Sequence, residues 1–107
     1  MIKKIRCFEI TLQNGHGRWI ELVPAHSKDN ALVHFSNPDH KVVSVIHKGW
    51  LPVNMSCDGF SIIFCINGCE INNESPYYSY IYQQMLSEID KFKMQMLQQG
   101  YDLPPYL

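Results

Sequence analysis

The sequence predicts an α+β domain: an antiparallel sheet of five or six strands in the order ββαβββα, with one long C-terminal helix packed on it. Three observations predict it. Asp58 to Cys69, DGFSIIFCINGC, sets the most apolar segment between Asp58-Gly59 and Asn67-Gly68, dipeptides that tolerate the positive φ angles of a two-residue hairpin turn. Short apolar runs bounded by turn residues fill the chain up to Asn72. After Ser75-Pro76 the period changes, and Tyr78, Tyr82, Met85, Ile89, Phe92 and Met96 recur every three or four residues, the spacing of one helix face.

Residues 2–12 read as a strand, with Ile2, Phe8, Ile10 and Leu12 on an apolar face and Lys4, Arg6, Glu9 and Thr11 breaking the other. Asn14-Gly15 turns the chain into a second strand, Arg18 to Val23. A three-residue loop, Asn14 to His16, pairs Ile10 with Ile20 and Phe8 with Leu22 and keeps apolar residues on one face; a two-residue loop sets Phe8 against Glu21. Pro24 ends this hairpin. Ser27 is the expected N-cap of a short helix to about Phe35, with Asp29 in its first turn and Ala31, Leu32 and Phe35 facing inward. Asn37-Pro38-Asp39 stops that helix. Lys41 to Lys48 follows as a strand that Gly49 terminates. The next strand, Leu51 to Cys57, contains Pro52, which donates no ladder hydrogen bond, so it belongs at an edge or starts at Val53. Phe60 to Ile66 is then the central strand, buried on both faces and paired with Leu51 to Cys57 on one side and Cys69 to Asn72 on the other.

Both ends of the long helix are marked. Ser75 is an N-cap with proline at the first helical position, and Gly100 is the C′ stop. Ile81, Leu86 and Leu97 widen the apolar stripe; Gln83, Gln84, Ser87, Asp90, Lys91 and Gln98 form the polar face. From Pro76 to Gln99 such a helix is about 36 Å long, against about 20 to 23 Å for strands of six or seven residues. The helix is therefore expected to overhang its sheet, exposing either the Tyr77 to Tyr82 head or the Met94, Met96, Leu97 end. Pairing across a two-fold axis covers the overhang, so a homodimer through this helix is expected. Residues 101–107, YDLPPYL, read as an extended tail.

Bulk properties exclude some roles. At 107 residues and 46% hydrophobic, the chain is one domain, residues 1–107, with ample material for a core. A formal charge of -1 fits neither a nonspecific nucleic-acid binder nor an acidic mimic of DNA. Lys3, Lys4, Arg6, Lys41 and Lys48 still leave a nucleic-acid partner open, beside the plainer account of a solvated sheet face. Arg6 and Glu9 interrupt the start MIKKIRCFEI before it makes a signal peptide, and the longest apolar run is Ile62 to Ile66. A soluble cytoplasmic protein with no membrane partner and reduced thiols is the expectation.

Cys57, Cys65 and Cys69, with five His in the chain, invite a zinc reading. A two-residue turn at Asn67-Gly68 sets Ile66 opposite Cys69 and Cys65 opposite Glu70, which points the two thiols to opposite faces. No metal or cofactor is expected. A nucleophile built from Cys57 with His47 or His34 and Asp58 has no sequence motif behind it, and H-E-x-x-H, G-x-S-x-G and phosphate-loop patterns are missing, so no enzyme is expected.

The tyrosines are the informative oddity. Of six, four lie within Tyr77 to Tyr82, and on a helix Tyr77 and Tyr80 fall away from the Tyr78–Tyr82 seam. Tyrosine supplies large contact area with a polar tip at little entropic cost. Tyr77, Tyr78, Tyr80 and Tyr82, with Met94 and Tyr101, are the expected partner-binding residues. The function expected is a small non-enzymatic interaction module that binds a protein partner stoichiometrically; the rivals are a nucleic-acid-binding regulator and a small Cys/His hydrolase or metal protein. A compact domain rich in Asn, Ile, Lys and Tyr resembles in composition the small proteins of phages and mobile elements. That resemblance implies an inhibitor of a host defence system.

Overall fold

The computed structural model describes residues 3–58 and 61–100, and the chain is α+β. In order come β1 (Lys4–Asn14), β2 (Gly17–Pro24), α1 (Lys28–Leu32), a 3₁₀ turn (Val33–Phe35), β3 (Lys41–Cys57), β4 (Ile62–Ile66), β5 (Cys69–Ile71), α2 (Tyr78–Gln84) and α3 (Leu86–Gln98). The strands form one antiparallel sheet in the order β2-β1-β3-β4-β5. The chain divides into two compact units, one of Lys4–Leu51 and the other of Lys3 with the described residues from Pro52 on.

In the first unit, β1 and β2 close on a two-residue turn, with Asn14 opposite Gly17, Phe8 opposite Val23 and Leu12 opposite Trp19. The three-residue loop expected from the sequence is therefore one residue out of register. The side-chain oxygen of Asn14 accepts the His16 N–H at 2.7 Å, which fixes the turn at Gly15-His16. A single apolar face was the wrong criterion here, because Ile5 and Cys7 on one side of β1 and Phe8, Ile10 and Leu12 on the other are all buried. Ser27 caps α1 as expected, its hydroxyl accepting the Asn30 N–H at 3.2 Å, and Ala31 is the buried residue of that helix.

Gly49 does not end a strand. Lys41–Lys48 and Leu51–Cys57 are parts of one 17-residue strand, and Gly49 lies inside it at φ 88°. A glycine in that conformation marks a bulge, where a strand changes which residues face inward. Val42, Ser44 and Val45 are half-buried before it, and Leu51, Val53, Met55 and Cys57 are the more buried positions after it. The sheet thus has five strands, and β3 is its centre. Pro52 nevertheless fits. The Val53 N–H donates to the Lys3 carbonyl at 3.0 Å, so the Pro52 nitrogen points to the other side, where pairing with β4 begins only at Val53–Ile66.

In the second unit, Cys57 pairs with Ile62. This corrects the expected two-residue turn at Asp58-Gly59. Asp58 instead holds a longer loop, its carboxylate accepting the Ser61 N–H at 2.9 Å; Gly59 and Phe60 lie outside the described residues. β4 is buried on the face of Ile62, Phe64 and Ile66 and only half-buried at Ile63 and Cys65, so it does not bury both faces. The turn to β5 is as expected, with Ile66 opposite Cys69 and Cys65 opposite Glu70. Asn67 at φ 52° and Gly68 at φ 83° are the two positive angles of a type I′ turn. Gly68→Ala meets open space but a strained backbone, and is expected to cost about 1 to 2 kcal/mol, read as a lower urea midpoint at unchanged slope.

The C-terminal helix is two helices. Met85 interrupts it at φ -107°, ψ 10°, its N–H shared between the carbonyls of Ile81 and Tyr82. No proline or glycine stands there, and the break falls on a side chain that is fully buried with Ile81 and Ile89. The helix begins at Tyr78, two residues later than expected, and the Ser75 hydroxyl accepts the Tyr77 N–H at 3.2 Å. Gly100 at φ 87° lies at the expected stop. The longer piece, α3, has 13 residues and is about 20 Å long, no longer than a strand. The length expected of one continuous helix is thus divided at Met85 between α2 and α3. No helix among the described residues is long and apolar enough to cross a membrane.

Candidate functional site

The tyrosines at the head of the helical segment are in part structural. Tyr78 lies 5.1 Å from the ring of Phe64 and 6.0 Å from that of Tyr82, and Tyr82 stands edge-on to Phe64 at 6.5 Å. The Tyr78 hydroxyl donates to the Ile62 carbonyl at 2.7 Å. Burial, and then the neighbouring Tyr82, Asp58 and Cys57, push the Tyr78 phenol above its ordinary range, so it is a neutral donor at physiological pH. Tyr77 and Tyr80 are also half-buried and engaged. Met94 is 56% exposed, and Tyr101 lies outside the described residues. Of the six expected partner-binding residues, the fold brings Tyr78 and Tyr82 together on Phe64 and leaves Met94 on the surface.

Exposed apolar side chains lie elsewhere. In the first unit Trp50 is 63% exposed, Ile20 62% and Ile46 51%. Ile20 sits opposite Thr11, which shares a face of β1 with Glu9 by the two-residue alternation of a strand. Glu9 pairs with Lys48 at 3.6 Å, and Ile46, two residues before Lys48, shares its face. Ile20 and Ile46 therefore flank an ion pair on one sheet face. In the second unit Leu86 and Leu97, expected to widen the buried stripe, are instead about half exposed beside Met94 on α3. Sequence reasoning missed both surfaces. For Trp50 the available signal was its place after a mid-strand glycine; for α3 it was the separate 4-3-4 spacing of Leu86, Asp90, Lys93 and Leu97.

A cleft of about 410 Å³ lies within the second unit between α3 and β3, floored by Val53, Met85 and Phe92 and rimmed by Lys3, Glu88 and Lys91. Its volume is in the range of small-ligand sites. Its rim carries both signs of charge.

Several of the residues weighed for chemistry have partners within the fold. Arg6 Nε donates to His47 Nε2 at 3.0 Å, Nη1 donates to the His26 carbonyl at 2.9 Å, and the guanidinium stands 5.5 Å over the Phe8 ring. His47 Nε2 is thereby a hydrogen-bond acceptor, and its ring lies tilted 5.2 Å from that of Phe8. His34 packs 6.4 Å from Phe35. With Arg6 bonded and Lys48 paired to Glu9, two of the five cations of the expected basic patch are committed within the fold. Cys65 and Cys69 stand on neighbouring positions of opposite facing, as the turn dictates, and among the described residues no three His, Cys, Asp or Glu side chains are grouped to hold a metal. Cys7 is fully buried, its thiol 3.6 Å from the Ile5 carbonyl, and burial pushes its pKa up to about 11. His40 packs against Trp19 and Phe35 at 6.1 Å each, with a buried Nε2 that has no partner among the described residues.

Compared with protein-family models, with curated proteins and with solved structures, the chain finds no match.

Proposed function

We propose that the protein is a cytoplasmic, non-enzymatic interaction module that acts by stoichiometric binding to a protein partner. The observation that carries this reading is Trp50, 63% exposed in a unit that also exposes Ile20 and Ile46. Tryptophan is the residue type most enriched among interface hot spots, and an isolated domain gains little by leaving one in water. The ion pair of Glu9 and Lys48 between Ile20 and Ile46 supplies a polar element of the kind that sets register against a partner. An inhibitor of a host defence system carried by a phage or mobile element is the form of this function implied by the chain's resemblance to small proteins of such elements.

Quantitative affinity capture from the native host tests it. Wild-type protein is expected to retain one protein at near-equal molar amount, and Trp50→Ala to weaken that complex by at least about 2 kcal/mol, some thirtyfold in Kd, with an unchanged melting curve. Retention of nucleic acid that falls steeply with salt would support the regulator instead. One zinc per chain, lost on Cys65→Ser, would support the metal protein.

A further inference from the structure

We infer that α3 pairs with α3 of a second copy of this chain, antiparallel across a two-fold axis, through Leu86, Asp90, Lys93 and Leu97. These four residues follow the 4-3-4 spacing of a coiled-coil seam. At 100° per residue they fall within an arc of about 60° on one side of the helix. That side is distinct from the one that buries Met85 and Ile89. Leu86 is 48% exposed and Leu97 54%, so about half of each apolar end of the seam is left uncovered by the described residues. Asp90 is exposed and Lys93 half-buried, and neither has an ion pair with another described residue.

The order of these residues commits the surface to one occupant. Leu86 and Leu97 stand symmetrically about the middle of the seam, and so do Asp90 and Lys93. An antiparallel copy therefore sets each Leu86 against the partner's Leu97 and each Asp90 against the partner's Lys93, giving two leucine contacts outside and two opposite-charge contacts inside. A parallel copy in register sets Asp90 on Asp90 and Lys93 on Lys93, and is disfavoured by like charge. Self-complementarity of this kind is what an isologous interface requires. Met94, one of the residues expected at the outset to meet a partner, borders the seam and adds apolar area. The lysine stem covers leucine while its ammonium reaches the edge. A seam of four residues per helix buries less than a standard interface, so the dimer is a weak one, forming in the micromolar range or above.

Self-pairing uses a different surface from Trp50, so the two experiments fail separately. Sedimentation equilibrium at low salt, from low micromolar to submillimolar protein, is expected to show the mass rising from 12.5 kDa towards twice that value. Asp90→Lys, which sets lysine on lysine, and Lys93→Asp, which sets aspartate on aspartate, are each expected to weaken association at least tenfold. The double exchange Asp90→Lys with Lys93→Asp restores the opposite-charge contacts and is expected to recover the dimer. Recovery by the exchange is a result that misfolding of a single variant does not mimic, and Leu97→Glu, on an exposed position, abolishes the dimer in parallel. A wild-type chain that stays monomeric throughout overturns the inference, as does a dimer indifferent to Leu97→Glu or an exchange that fails to recover association while its circular dichroism matches wild type.

Discussion

Phe64→Ala is expected to destabilise the chain by about 3 to 5 kcal/mol, the range for emptying a buried aromatic site. Phe64 is fully buried, flanked across the sheet by Met55 and Ile71 and covered by the rings of Tyr78 and Tyr82. Its removal deletes apolar burial and two aromatic contacts at once. The Tyr78 hydroxyl, tied to the backbone of the same strand at Ile62, limits how far the tyrosines relax into the space. A domain of this size has about 5 to 15 kcal/mol of stability in all. Since 1 kcal/mol moves the melting point by about 4 to 8 °C, the variant is expected to melt at least about 12 °C lower. Ile63→Ala, on the half-buried face of the same strand, is the comparison. It is expected to cost about 1 kcal/mol, in line with the smaller apolar area it removes from water. Equal losses at the two positions would show that the strand is buried on both faces, and no loss at Phe64 would show that the core lies elsewhere.

That contrast between the two faces also shows where the sequence was legible. The Asn67-Gly68 turn and the strand register it imposes were readable because the positive φ angles are a local demand that few dipeptides satisfy, and both angles are present. The first hairpin was not readable in the same way. Asn14, Gly15, His16 and Gly17 permit several closures, and the choice among them rested on a one-sided strand. With both Cys7 and Phe8 buried, β1 has no single apolar face to test a register against. Gly49 failed for a related reason. Glycine ends strands and also bulges them, and only the neighbouring strand, which sequence pattern does not reveal, decides between the two.

The surfaces follow the same logic. The helical period found the buried positions Ile81, Met85 and Ile89, whose burial is a property of one face. It said nothing about the break at Met85, where no helix-breaking residue stands, and it counted into the buried stripe Leu86 and Leu97, which lie at its edge and stay about half exposed. Tyr78 and Tyr82 drew attention by number, yet their rings are committed to Phe64. Trp50, a single residue in an unremarkable strand, did not. Composition counts side chains, whereas an interface depends on which of them the fold leaves uncovered.

Raising the pH from 9 to 11 is expected to remove on the order of 2 to 3 kcal/mol of stability through Cys7 alone. Burial pushes this thiol from its ordinary 9.0 to about 11. The side chain is without solvent exposure, and its S–H lies 3.6 Å from the Ile5 carbonyl, a contact that only the protonated form makes as donor. The sign follows from which state holds the proton. Below pH 9 the thiol is protonated in both the folded and the unfolded chain, and stability is at its full value. Between 9 and 11 the unfolded chain releases a proton that the folded chain retains, so each pH unit favours unfolding by up to about 1.4 kcal/mol. Above 11 both states are ionised and the slope vanishes. Tyr78, also raised by burial, acts in the same direction but from the higher starting value of a phenol. Urea denaturation at a series of pH values therefore needs Cys7→Ala beside wild type. The variant is expected to lose the slope that begins at 9 while keeping what Tyr78 contributes from about pH 10 upward, where the unfolded phenol starts to ionise. In native protein at neutral pH a thiol reagent should modify the exposed Cys69 long before Cys7, which becomes available only on unfolding. Identical alkaline slopes in wild type and Cys7→Ala would show that Cys7 reaches water in the folded chain.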